Sequence, residues 1–117
     1  YVDNADKQGD YLLKKLRKLE KYPIVGDVRG KGLMLGVELV QDQETKHAFE
    51  PSAKVSAILT NHCLDEGIVP YPGGGSVDGV RGDHIQITPP INISTAETDQ
   101  LYLAVEQAIK RTCAEVL

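Results

Sequence analysis

No apolar run in these 117 residues approaches the ~20 that a membrane-spanning helix needs, so a transmembrane protein is excluded. Basic charge is also in short supply. Thirteen Lys and Arg stand against seventeen Asp and Glu, a net charge of −4, and they are scattered rather than gathered in a stripe, so nucleic acid is not an expected partner. Cysteine is limited to Cys63 and Cys113, both in segments with helical patterning, which gives a disulfide no support. With nothing resembling a signal peptide near Tyr1, the expectation is a reduced, cytoplasmic protein. His47, His62 and His84 show none of the paired spacing of a zinc site, so no metal is expected.

What remains is ordinary globular material: 41% hydrophobic and 26% charged residues, at a length suited to one core. The chain opens on Tyr1 and enters a helical pattern at once, which reads as a piece of something longer. Ala5, Gly9, Leu12, Leu13, Leu16 and Leu19 recur at spacings of three and four, predicting an amphipathic helix over residues 2–21 that Tyr22-Pro23 ends. Ile24 to Val28 and Leu33 to Val40 read as strands joined through Arg29-Gly30-Lys31-Gly32. In the second, Leu33, Leu35, Val37 and Leu39 share one face and Met34, Gly36, Glu38 and Val40 the other.

A polar loop carrying His47 follows, then a helix opened by Pro51-Ser52, with Val55, Ile58, Leu59, His62 and Cys63 inward and Gly67 as its stop. Ile68 to Tyr71 reads as a short strand. Five of the eleven glycines then fall between Pro72 and Gly82, predicting a loop that is mobile unless something packs on it. Asp83 to Thr88 is the last strand, ended by Pro89-Pro90. Ser94 and Glu97 form a capping box for a final helix, buried along Leu101, Val105, Ala108, Ile109, Thr112 and Val116. The order α-β-β-α-β-β-α predicts an α+β fold: a small antiparallel sheet of three to four strands with helices on one face.

Chemistry is harder to place. Gly74 and Gly79 have the spacing of a phosphate-binding loop, but Val80-Arg81 stands where Lys and Ser or Thr are needed. Gly30, Gly32 and Gly36 miss the dinucleotide fingerprint by one residue. Arg81-Gly82-Asp83 spells an adhesion tripeptide, a weak signal that the composition does not support. Cys63 has no base indicated by spacing, and His62 reads as a satisfied residue at the core edge. Glu38 lies in an apolar strand and needs a partner, for which Arg29 across the hairpin is the candidate. If its loss left a buried donor unpaired, Glu38→Ala would cost ~1–3 kcal/mol. Arg81, His84 and Gln86 form a further polar set, read either as a solvated sheet face or as the wall of a ligand pocket completed by another domain.

Asn4-Ala5 with Gly9, the run from Val28 to Leu39 (VRGKGLMLGVEL), and Gly82-Asp83-His84 leading to Pro89-Pro90 together resemble the C-terminal small domain of class III (ω-) aminotransferases. The resemblance runs in order over essentially the whole chain. It implies a dimeric pyridoxal-phosphate enzyme of fold type I, in which a lysine of a separate large domain holds the cofactor and the small domain closes over amine and keto-acid substrates. That lysine lies upstream of the matching segment, so the resemblance implies a chain that binds no cofactor and is inactive alone. Family members acting on ornithine-like substrates carry an arginine three residues before the first of the two prolines. Gln86 stands there, and a neutral amide cannot replace a bidentate guanidinium. Other members place the carboxylate-binding arginine in the preceding loop, which makes Arg81 the candidate for substrate contact. The alternative is a free-standing binding or oligomerisation module.

Overall fold

The computed structural model describes residues 2–73 and 82–117; the glycine-rich stretch from 74 to 81, including Arg81, lies outside the described residues. Helix α1 (Val2–Arg17) tightens into a 3-10 turn over Lys18–Lys21. The chain then runs through β1 (Val25–Lys31), β2 (Met34–Leu39), α2 (Val55–Asp65), β3 (Tyr71–Gly73), β4 (Asp83–Ile87) and α3 (Thr95–Val116). This is the expected element order. The four strands form one antiparallel sheet in the order β1-β2-β4-β3, so α2 and β3 make the excursion that lets β4 return beside β2.

Two strand boundaries differ from expectation. β1 continues through Arg29 and Gly30 to Lys31, and the hairpin turns on Gly32-Leu33 alone, because Gly32 adopts the left-handed φ of 56° that a short loop requires. β3 begins at Tyr71 rather than Ile68, since the partner it finds is Gln86 of β4, opposite Tyr71. The helix opened by Pro51 is also split: a 3-10 turn over Pro51–Ala53 precedes α2, with Lys54 between them at a φ of 52°. α2 ends as expected at Gly67. Its amide bonds the Leu64 carbonyl (3.0 Å) while that of Ile68 bonds the Cys63 carbonyl (2.8 Å), the double bond of a Schellman stop.

Alternation along the strands puts Leu35, Val37, Leu39, Ile85 and Ile87 on the helix-covered face, where all are buried. Leu12, Leu16 and Leu19 from α1 meet them, with Val55, Leu59 and Cys63 from α2 and Val105, Ala108 and Ile109 from α3. Cys63 and Cys113 are free thiols, and burial pushes Cys63 up to about 11, leaving it protonated and inert. Both bonds of the Ser94/Glu97 capping box form, each at 3.1 Å.

α1 and α3 meet along a polar seam. Asn4 donates to the carbonyls of Ile91 (2.8 Å) and Ile93 (3.1 Å), and Gln8 exchanges hydrogen bonds with Thr95 and Thr98. Asp99 takes the Tyr11 hydroxyl (2.6 Å) and the Lys15 ammonium (2.8 Å); Glu106 takes the hydroxyls of Tyr22 (3.0 Å) and Tyr102 (3.2 Å). Lys15, and after it Tyr11, hold Asp99 below the ordinary carboxylate range. Burial pushes Glu106 up, but the two hydroxyls and nearby lysines outweigh it and leave it lowered. Burial, then the bond to Glu106, pushes Tyr22 from 10.0 up to about 12.

The signs fix the pH behaviour. Carboxylates lowered in the folded state stabilise fully above their unfolded values, and that stabilisation is lost as pH falls through the folded ones. Tyr22 acts oppositely: its neutral form is favoured, so stability declines as pH climbs past 10 toward about 12. Thermal melts across pH should fall away on both limbs, with Asp99→Asn flattening the acid limb and Tyr22→Phe the alkaline one. Limbs unchanged by these substitutions would show that the seam does not govern them.

Candidate functional site

The sheet face away from the helices carries the other half of each strand's alternation. Cross-strand registry arranges it in rows: Arg29, Gly36, Gln86 and Tyr71 in one, Asp27, Glu38, His84 and Gly73 in the next. Gly36 has no side chain to stand between Arg29 and Gln86, so the sheet is hollowed there. The result is an open groove of about 350 Å³, walled by Arg29, Met34, Glu38, His84, Gln86 and Thr88. Four residues singled out from the sequence, Arg29, Glu38, His84 and Gln86, are thus brought together on one surface. Arg81 lies outside the described residues.

Arg29 Nη2 lies 3.0 Å from Glu38 Oε2, and its Nε lies 3.3 Å from Asp27 Oδ2. Asp27 could not be anticipated because the strand shifts register between Val25 and Asp27. Arg29 is 72% exposed, so removing Glu38 leaves no buried donor. The larger cost reserved for that case does not apply. Glu38→Ala should destabilise by less than ~1 kcal/mol, the scale of an exposed ion pair, as urea unfolding can measure. A cost of several kcal/mol would mean that the groove hides more of this pair than the geometry shows.

His84 is half-buried; its Nδ1 is enclosed without a hydrogen-bond partner among the described residues. Gln86 is exposed. His62 is not fully satisfied as expected: Nε2 meets Glu115 at 3.3 Å, while Nδ1 is enclosed and unpaired among the described residues. Asp83 has a role missed in the sequence. Buried at the start of β4, it accepts the Ser56 amide at 3.2 Å and so ties the first turn of α2 to the sheet. Among the described residues no cluster of His, Cys, Asp and Glu could hold a metal, and no helix is long and apolar enough to cross a membrane.

The segments that carry the resemblance are the seams of this structure. Asn4 binds the chain just after Pro89-Pro90, and Gly9 of α1 lies against Gly32 in the hairpin. A two-layer α+β fold with a polar groove on the sheet face that no described helix covers is the class of protein these elements define. The profile of the family "Aminotransferase class-III" matches residues 1–109, and the chain belongs to that family. It is 39% identical over 114 residues to an uncharacterized aminotransferase of Schizosaccharomyces pombe, covering 97% of this chain and 25% of that protein. A leucine/methionine racemase of Thermococcus litoralis is 37% identical over 92% of this chain and 22% of its own. Among solved structures, a thermostable (S)-enantioselective omega-transaminase from Thermomicrobium roseum superposes with a TM-score of 0.80 at 39% identity, covering 93% of this chain and 22% of that one. The chain therefore spans about a quarter of the length of the relatives it matches.

Proposed function

We propose that this chain is the C-terminal small domain of a pyridoxal-phosphate-dependent class III aminotransferase. The parent enzyme, a cytoplasmic homodimer, moves an amino group between an amine or ω-amino acid and a keto acid. The observation that carries this reading is the uncovered sheet face. A groove with a cation, a carboxylate, an imidazole and an amide suits a polar amino compound, and the exposed Met34 and Tyr71 on the same face suit a covering domain. Arg81, His84 and Gln86 are its substrate-facing residues, and Arg29 and Glu38 brace the hairpin beside them.

The family's cofactor supplies the electron sink for transamination when bound. The residues of this chain do not fit it on their own. Eight of the nine lysines are exposed, and the ninth, Lys15, is held by Asp99 at 2.8 Å, so no enclosed lysine is available to bind an aldehyde. Mixed with pyridoxal phosphate and an amine donor, the chain alone should show no saturable spectral change and no transfer of nitrogen. Stoichiometric binding with turnover would overturn the small-domain reading. A free-standing binding module finds no specific support.

A further inference from the structure

One glycine of the open face is unexplained by backbone geometry. Gly73 stands opposite His84 in the β3–β4 ladder, and its φ lies outside the range that side chains avoid. The space beside it is occupied instead. A Cβ at this position would lie 2.3 Å from Nε2 and 2.4 Å from Cε1 of His84, far inside contact distance. The imidazole therefore rests in the place where a side chain of residue 73 would be.

We propose that Gly73 is a positioning residue for His84: it seats the imidazole over β3, at the wall of the groove, and thereby keeps the ring from swinging across it. Relevance to substrate rests on the reading of the groove given above; the seating itself does not. The neighbours of His84 on this face leave few alternatives. Glu38 stands across on β2 and Gln86 follows on β4, both walls of the groove. Among the described residues, the space beside a ring displaced from Gly73 is that groove. Burial of Nδ1 without a partner among the described residues opposes the seated position, because an unpaired polar atom loses its hydration. The ring therefore stays by fit over Gly73, and a single methyl at residue 73 is enough to remove that fit. The width of the groove, and with it the bulk of the amino compound that can enter, is set by a residue that does not line it.

The test is made on the 117-residue chain with Gly73→Ala, His84→Ala and the double variant. Diethyl pyrocarbonate modification, resolved by peptide mass, reads His84 against His47 in the same molecules. In Gly73→Ala, His84 should be modified several-fold faster relative to His47 than in the parent chain. The double variant should melt no lower than His84→Ala, because the clashing ring is gone. An unchanged ratio in a folded Gly73→Ala protein overturns the proposal. So does a double variant that retains the full cost of Gly73→Ala, and this second measurement decides the matter even if the single variant fails to fold. Neither readout involves the cofactor, so failure here is distinct from failure of the small-domain reading.

Discussion

Gly9→Ala should cost about 3 kcal/mol or more of stability, although the same change in an exposed helix interior would gain up to ~1 kcal/mol from propensity. The reason lies across the α1–hairpin contact. A Cβ on Gly9 would sit 2.1 Å from the Gly32 carbonyl oxygen and 2.4 Å from its carbon, which are backbone atoms. No rotamer can relieve that overlap. Gly32 is held by its φ of 56° in the turn, and α1 is held by Leu12 and Leu16 in the core, so one of the two must shift bodily. Gly36→Ala is the control: its Cβ would meet nothing closer than 3.9 Å, and a change within ~1 kcal/mol is expected. Chemical unfolding of the pair should separate them widely. Equal, small effects would show that α1 does not bear on the hairpin.

Ile85→Ala should remove ~2–5 kcal/mol, the loss of buried methyl groups plus the cavity left behind. Ile85 is fully buried, opposite Val37 on β2 and Pro72 on β3, in the strand that joins the two halves of the sheet. The strands on both flanks, β2 and β3, are hydrogen-bonded to β4 and limit collapse into the gap. Ile85→Val should lose only ~0.5–1.5 kcal/mol by the same argument. Unfolding midpoints of the two variants should keep this order; an Ala variant as stable as Val would place Ile85 at a yielding edge of the core.

The helix-covered face was legible because it is built from periodicity. Leu33, Leu35, Val37 and Leu39 alternate with Met34, Gly36 and Glu38, and a strand has only two faces on which to put them. What stayed hidden was polar or distant. Gln8, Thr98 and Tyr102 are buried between α1 and α3, yet an apolar stripe cannot include them, since each is buried by a partner some ninety residues away or by a shared carboxylate. The groove was half legible. His84, Gln86, Glu38 and Met34 fall on the open face by alternation, whereas the hollow made by Gly36 and the seating of His84 on Gly73 depend on registry between strands. Registry is fixed by how the elements meet, which no single strand records.

The seam between α1 and α3 also sets an order of events during synthesis. Asn4 and Gln8 find their partners 87 to 90 residues later along the chain. At ribosomal rates of ~5–20 residues per second, α1 has left the tunnel for roughly 5–20 s before the segment that satisfies its polar side exists. Among the elements that follow α1 in this chain, the β1–β2 hairpin is the first on which Leu12 and Leu16 can rest. The Gly9–Gly32 contact thereby becomes a provisional dock, holding the first helix until the last arrives to close the domain. Closing contacts across 87 to 90 residues carries a loop-closure cost, and variants that weaken the dock should show it first as lower yield of folded protein during translation.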